Sequence, residues 1–276
     1  MNRFRQLQLH AALVVLVIAT FVPFVVMGLM SLRSSLDIVV NFWGLPRHPA
    51  WSNYARAFSE LAPAMVNTFL VCVVAVAGSL FISLLAGYAF ARHEFPGKRL
   101  LFALIMGLMM VPGVLLLAPR YVLAVDFGLR DTYWGLWWFY LSGGQVLGIY
   151  LIRTFIAALP EDLFEAARIE GAGEWSCLFR IALPLTQPIL VTVGILLFLT
   201  TYNDLIWPML VLNDPRKDTL MLALLQFTPS DPQSTNRTEL GVQAAGYVCA
   251  SLPVVIVFWM GMKAYIRGVL AGGIKE

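Results

Sequence analysis

The chain has 276 residues with a formal net charge of +3, and 59% of its residues are hydrophobic while only 13% are charged. Soluble domains carry about a quarter charged residues, so this composition excludes an ordinary soluble protein and indicates a membrane protein. Nineteen Lys and Arg residues are balanced by sixteen Asp and Glu residues without a basic block, which also excludes a nucleic-acid-binding surface.

Six apolar segments are each long enough to cross a hydrocarbon core of ~30 Å as a helix. The third is interrupted by Pro112, Pro119 and Arg120, and such breaks are tolerated where neighbouring helices or a cavity satisfy the freed backbone groups. We therefore predict an all-α membrane protein, with six transmembrane helices in a single transmembrane domain over residues 1–276. The predicted spans are residues 11–31, 65–91, 101–124, 134–158, 185–212 and 241–266.

Basic and aromatic residues predict the orientation of these spans. Arg92, Lys98 and Arg99 crowd the short loop between the second and third spans, and basic residues in short loops mark the cytoplasmic side of a membrane. Trp134 and Trp137 begin the fourth span, where they would lie in an outer aromatic belt. An even number of spans then places both termini in the cytoplasm.

The loop between spans four and five, residues 159–184, is predicted to be structured. Pro160, Glu161 and Asp162 favour a helix start, because proline is harmless in the first turn and acidic groups suit the positive end of the helix dipole. Gly171 is placed to end this helix in a left-handed conformation, and residues 174–181 can form a second short helix. We predict a helix-turn-helix that lies along the cytoplasmic face.

The same loop carries a pattern of fixed spacing: Glu-Ala-Ala, three residues, Gly, nine residues, Ile, one residue, Leu-Pro. Its members are Glu165, Ala166, Ala167, Gly171, Ile181, Leu183 and Pro184. This pattern resembles the loop signature of ABC-importer permeases, which also lies before the penultimate span. The resemblance implies that the loop is a coupling segment, in which the small alanines allow close docking and Glu165 pairs with a basic group on a separate ATPase.

The ATPase is expected to be a partner, because the chain has no GxxxxGK[ST] motif that could hold the phosphates of ATP. The resemblance therefore places ATP and Mg on that partner and implies no cofactor and no metal in this chain. The chain itself is predicted not to be an enzyme.

Further stretches extend the resemblance over nearly the whole chain and narrow it to the carbohydrate-uptake permeases of the maltose type, specifically the second of their two membrane subunits. The segment from Tyr202 to Pro208 is similar to a W-N-[DE]-x-x-W-P stretch of that subunit, with Tyr202 in place of the usual tryptophan. The resemblance implies a bacterial cytoplasmic (plasma) membrane, a second and different permease subunit, two copies of a cytoplasmic ATPase and an external solute-binding protein. The expected solute is a disaccharide or oligosaccharide, with glycerol-3-phosphate or glycerophosphodiesters as the alternative.

Four residues near the end of span five are candidates for the solute pathway. Thr200, Asn203, Asp204 and Trp207 recur at three- and four-residue spacing, which places them on one face of a helix. An aromatic ring beside amide and carboxylate groups suits a sugar, so we predict that this face lines the pathway. In the competing interpretation, Asn203 and Asp204 cap the outer end of the span. Arg120 suits an anionic group of a solute, or it extends to the membrane surface.

Two other classes of function are less well supported. A secondary transporter is typically built from repeated halves with ion-binding groups near the midplane, and the sequence has no repeat and no deep pair of carboxylates. A membrane enzyme needs a reactive constellation, and the start of a zinc motif at His93 and Glu94 is the one hint of it. That motif fails, because Gly97 lies where its second histidine is needed.

Overall fold

Long apolar stretches of the sequence form the longest helices of the protein. The structure is a computed structural model that describes residues 3–227 and 239–273, and these residues form helices, turns and connecting segments without a β-strand. The prediction of an all-α protein is confirmed for this part of the chain.

The α-helices are numbered in chain order. They are α1 (Arg3–Ser31), α2 (Ser35–Val40), α3 (Ser52–Arg92), α4 (Lys98–Leu108), α5 (Leu117–Asp126), α6 (Tyr133–Gly143), α7 (Gln145–Ala157), α8 (Asp162–Ile169), α9 (Glu174–Ser176), α10 (Leu183–Leu185), α11 (Gln187–Tyr202), α12 (Ile206–Val211), α13 (Leu220–Gln226) and α14 (Leu240–Gly273). The 3-10 helices are Gly113–Leu116 and Pro215–Lys217, and a π-helix covers Cys177–Ala182.

Three helices are long and apolar enough to cross a membrane: Gln6–Ser31 within α1, Ser52–Arg92 and Leu240–Lys263 within α14. Two bent helix pairs raise the number to five, namely Lys98–Leu108 with Gly113–Asp126, bent by 94°, and Glu174–Leu185 with Gln187–Tyr202, bent by 76°. The described residues thus contain three to five such spans, as expected of a multi-pass membrane protein. The count of six stays a prediction.

Proline explains the break in the third predicted span. Pro112 has φ −58° and ψ 122°, so the chain leaves the helical conformation there, between the end of α4 at Leu108 and the 3-10 helix that begins at Gly113. A proline cannot donate a hydrogen bond to the preceding turn and clashes with it. The segment after the break leads into α5, which carries Arg120.

Helix α3 begins before the second predicted span. The helix starts at Ser52, whereas the predicted span starts at residue 65. Hydropathy leaves out the first turns of the helix, because they contain polar residues such as Arg56 and Glu60. The helical backbone therefore extends beyond the apolar stretch.

The chain divides into two compact units, the first of which contains residues 1–65 and 223–253. Arg33 is buried in this unit, where its side chain donates to the Asp37 carboxylate at 2.6 Å and to the Phe42 carbonyl at 3.0 Å. The Asn53 amide donates to the carbonyls of Ser31 and Arg33. These bonds fix the end of α1, the short helix α2 and the start of α3.

The second unit contains residues 66–222 and 254–276. Its helices approach closely at small residues: a Cβ at Gly87 would lie 2.9 Å from Ile152, and one at Gly148 would lie 2.5 Å from the Ser83 hydroxyl. Such residues allow membrane helices to pack backbone to backbone. One core cluster joins α3 and α7 to the loop around α8, and a second joins α3, α5, α6 and α12.

Candidate functional site

The predicted loop forms two helical segments around a turn at Gly171. Helix α8 ends at Ile169, and Gly171 has φ +85°, a conformation that favours glycine. The Gly171 amide donates to the Arg168 carbonyl at 3.0 Å, and the Ala172 amide to the Ala167 carbonyl at 2.9 Å. These bonds satisfy carbonyls at the helix end, as glycine-based caps do.

A π-helix, Cys177–Ala182, connects the second segment to α10. The Leu183 amide donates to the Leu178 carbonyl, five residues back, and Pro184 follows at a position that cannot donate. Single π-turns are frequent at functional sites. The Leu-Pro end of the sequence pattern thus coincides with a change of helical register.

Phe164 and Arg92 hold the first turn of α8 against the rest of the second unit. Phe164 is completely buried, and the Arg92 guanidinium lies 4.0 Å from the centre of its ring. Arg92 also donates to the carbonyls of Ile156 and Leu159 at 2.8 Å each and forms an ion pair with Glu161. A cation over an aromatic ring attracts it, so the end of α3 and the start of α8 are held together.

A second set of polar contacts holds the segment that follows the turn. Glu174 accepts a hydrogen bond from the Tyr88 hydroxyl at 3.0 Å and lies 3.5 Å from Arg168 and 3.4 Å from His93. Arg168 also lies 3.5 Å from Glu161. The turn at Gly171 is therefore bridged by Arg168, which contacts acidic residues on both sides of it.

The members of the sequence pattern divide into two groups by environment. Ala167, Ile181 and Leu183 pack against the buried core cluster. Glu165, Ala166, Gly171 and Pro184 are exposed, and the Glu165 side chain forms no ion pair among the described residues. The pattern thus combines residues that hold the loop in place with residues that remain available to a partner.

Apolar side chains extend this exposed surface. Ile169 is 86% exposed, and Trp175 is 66% exposed and stacks on Phe179 with ring centres 5.9 Å apart. Exposed groups of aromatic and aliphatic side chains mark interaction surfaces. The sequence does not reveal these three residues as a surface group, because nothing in their spacing separates exposed from buried apolar groups.

A cavity of about 450 Å³ lies among helices α3, α4, α5, α6, α7 and α11, a size in the range of ligand pockets. Most of its wall is apolar. Its polar lining consists of Ser79, Arg120, Tyr140, Ser142, Thr200, Thr201 and Asp204.

Asp204 lines the cavity and also caps a helix. Its carboxylate accepts hydrogen bonds from the backbone amides of Ile206 and Trp207 at 3.1 and 3.3 Å, at the start of α12. The Tyr140 hydroxyl donates to its other oxygen at 2.9 Å. The pathway and capping interpretations of Asp204 are therefore compatible.

The other predicted pathway residues are not all brought together. Helix α11 ends at Tyr202 and α12 begins at Ile206, so the predicted residues do not share one helical face. Thr200 lines the cavity, whereas the exposed Asn203 donates to the Leu199 carbonyl of its own helix.

Trp207 is a packing residue in this structure. It is 2% exposed, donates through Nε1 to the Gly135 carbonyl at 3.1 Å and stacks on Phe139 at 4.3 Å. It borders a smaller cavity of about 240 Å³ instead. Sequence spacing could not distinguish these environments, because they depend on how α6 packs against α12.

Asp131 connects two loops, the one between α5 and α6 and the one that follows α12. It has a left-handed backbone with φ 53°, and its carboxylate accepts from the amides of Asn213 and Asp214 and from Lys217. The bond from Lys217, reinforced by the two amides, lowers the pKa of Asp131 to about 2. Among the described residues, no group of three or more His, Cys, Asp and Glu side chains could hold a metal ion.

Residues 79–270 match the protein family described as binding-protein-dependent transport system inner membrane component. A maltodextrin transport system permease protein of Bacillus subtilis (strain 168) is 31% identical to this chain, over 76% of this chain and 74% of the relative. An arabinooligosaccharides transport system permease protein of the same strain is 30% identical, over 88% of this chain and 84% of the relative.

The fold is similar to that of a chain in the crystal structure of a bacterial ABC transporter involved in the import of the acidic polysaccharide alginate. The TM-score is 0.80 and the identity 22%, with 95% of this chain and 98% of that chain covered. At this identity the likeness concerns the fold.

Proposed function

Because this chain belongs to the family of binding-protein-dependent transport system inner membrane components, we propose that it is the permease subunit of an ATP-driven ABC importer and forms half of the translocation pathway for a sugar or sugar-like solute. The relatives that transport maltodextrin and arabinooligosaccharides favour a disaccharide or oligosaccharide. Glycerol-3-phosphate and glycerophosphodiesters are the alternative solutes.

In this proposal the membrane domain has six spans: α1, α3, α4 with α5, α6 with α7, α11 with α12, and α14. The support for the fourth span is Gly144, which separates α6 from α7 but keeps helical dihedrals of φ −66° and ψ −26°. Both termini and the loop 159–184 lie in the cytoplasm, on the side marked by Arg92, Lys98 and Arg99.

The observation that carries the proposal is the division of the loop into an anchored base and an exposed surface. Phe164 and Arg92 tie α8 to the end of α3, while Glu165 and Ile169 face outward. A partner that binds this surface and moves would displace α8 together with the spans attached to it, as transport between two access states requires.

The partners follow from this role. The exposed surface binds one of two copies of a cytoplasmic ATPase, which hold ATP and Mg. A second, different permease completes the pathway, and an external solute-binding protein delivers the solute. In the bilayer, α1 contacts lipid or the second permease, since none of its most apolar stretch is buried within this chain.

The test is ATP-driven uptake and ATP hydrolysis by the complete complex in proteoliposomes, with Glu165→Ala and Gly171→Pro. Glu165→Ala removes the exposed carboxylate, and Gly171→Pro cannot adopt φ +85°. We expect both variants to assemble with their partners and to lose most of the uptake and of the ATPase stimulation by the solute-binding protein.

The matched control is Asp126→Ala, which removes an exposed carboxylate at the end of α5. Uptake by this control should equal that of the wild type. Unchanged uptake in Glu165→Ala and Gly171→Pro would contradict the coupling role. A panel of disaccharides, oligosaccharides and glycerophosphodiesters in the same assay identifies the class of solute.

A further inference from the structure

Arg120 is a cation in the wall of the larger cavity. It lies on α5, just after the break in the third predicted span, and borders both the cavity of about 450 Å³ and the smaller one of about 240 Å³. Its side chain is partly buried. A charged group inside a spanning segment is costly and marks an ion or solute path more often than a packing contact.

The guanidinium has no anionic partner in the part of the chain that the structure describes. No carboxylate lies within salt-bridge distance of it, and its closest recorded contact is the ring of Phe139, 4.4 Å away. Gly143 lies next to it, since a Cβ there would be 3.4 Å from one guanidinium nitrogen, an ordinary contact distance. Among the described residues, the Arg120 guanidinium lines the cavity and forms neither an ion pair nor a hydrogen bond.

The carboxylate in the same cavity is already satisfied. Asp204 accepts hydrogen bonds from the Tyr140 hydroxyl and from two backbone amides, which offset its charge. The Thr200 hydroxyl donates to carbonyls of its own helix at 3.1 and 3.0 Å, so its oxygen can accept from a solute hydroxyl. The cavity thus combines a free cation with acceptors for hydroxyl groups.

We propose that Arg120 binds an oxyanion of the transported solute, the carboxylate of an acidic saccharide or a phosphate group. The planar guanidinium matches either group with two parallel hydrogen bonds. The inference rests on the proposed transport function and names the chemical class of its solute.

Phe139 and Trp207 hold Arg120 in position. Trp207 is fixed by its bond to the Gly135 carbonyl and stacks on Phe139, whose ring in turn contacts the guanidinium. Trp207 is therefore a positioning residue that acts through Phe139. A change at Trp207 is therefore expected to reach the larger cavity through Phe139 and Arg120.

The experiment is equilibrium binding of small solutes to the purified permease–ATPase complex, without the solute-binding protein, so that its own specificity does not enter. The probes are trimers of galacturonate, mannuronate and glucuronate, their methyl esters, maltotriose, glycerol-3-phosphate and glycerol. Each methyl ester differs from its acid by the loss of charge, and the phosphate arm distinguishes a phosphorylated solute from a uronate.

We expect the wild type to bind at least one acidic probe more tightly than its uncharged counterpart. Arg120→Gln should weaken that binding by about tenfold or more, as expected for a lost hydrogen bond to a charged group, and leave the uncharged probes within about twofold. Arg120→Lys should retain part of the preference. Trp207→Phe should reduce the preference for the acidic probe without changing binding of the uncharged one.

The control is Arg130→Gln, an exposed arginine that borders neither cavity, and it should leave every affinity unchanged. Equal binding of acidic and uncharged probes by the wild type, or no binding of any acidic probe, overturns the proposal. A loss of the second permease from the Arg120→Gln complex also overturns it, since Arg120 would then pair with that subunit. None of these results affects the uptake test with Glu165→Ala, which judges the transport function separately.

Discussion

Asp131 shows how a single residue in this protein responds to pH. The bonds from Lys217 and two backbone amides lower its pKa to about 2, below the value of about 3.9 for an unfolded aspartate. A lowered pKa stabilises the folded state above the unfolded pKa, and this stabilisation disappears as the pH falls through the folded pKa. The stabilisation of the folded state by Asp131 is therefore lost as the pH falls from roughly 4 to 2.

We predict that Asp131→Asn weakens the connection between the two loops at neutral pH, because asparagine tolerates the left-handed backbone but lacks the charge that holds Lys217. Hydrogen exchange at the amides of Asn213 and Asp214 measures this. The wild type should exchange these amides more slowly than the variant above pH 4, and the ratio should approach one as the pH falls to 2. A ratio that does not change with pH would contradict the assigned pKa.

The sequence predicts the local role of some residues but not the burial of others. Gly171 was predicted to end α8, because a left-handed cap is a local property that the residue type reveals. The burial of Phe164 and the exposure of Leu163 were not predicted, since both are apolar neighbours and their environments depend on where α3 and α7 pack. The partners of Arg120 also depend on tertiary structure.

At the scale of elements, α8 is a short helix that depends on its anchor. Eight residues are too few for a stable isolated helix, so its position relies on Phe164, which is completely buried. The third predicted span also depends on its neighbours. Its prolines indicate a break, but they do not determine the angle of 94° between its two parts. The angle depends on the neighbouring helices.

We predict that Phe164→Ala destabilises the second unit by about 3–5 kcal/mol, the usual cost of removing a buried aromatic side chain. The thermal unfolding midpoint of the complex should fall, together with the ATPase stimulation by the solute-binding protein. Leu163→Ala is the matched control on the same helix, because Leu163 is exposed, and its midpoint should stay near that of the wild type. Equal midpoints for the two variants would show that Phe164 does not anchor α8.

At the scale of the whole molecule, the all-α class and the family were predicted from the sequence, because apolar length and a loop signature of fixed spacing are properties of the chain itself. The solute was predicted only as a class. Proteins that share a fold serve many functions, and the larger cavity is lined by four separate parts of the chain, so residue spacing alone does not reveal its lining.

The measurement that tests the central claim most directly is uptake of labelled oligosaccharide into proteoliposomes that contain the complete complex, with the solute-binding protein on the outside of the vesicles and the ATPase subunits facing the lumen. We predict uptake with ATP in the lumen, none with a non-hydrolysable analogue, and no change when ion gradients are dissipated. Uptake that persists without ATP and follows an ion gradient would contradict the account and identify a secondary transporter.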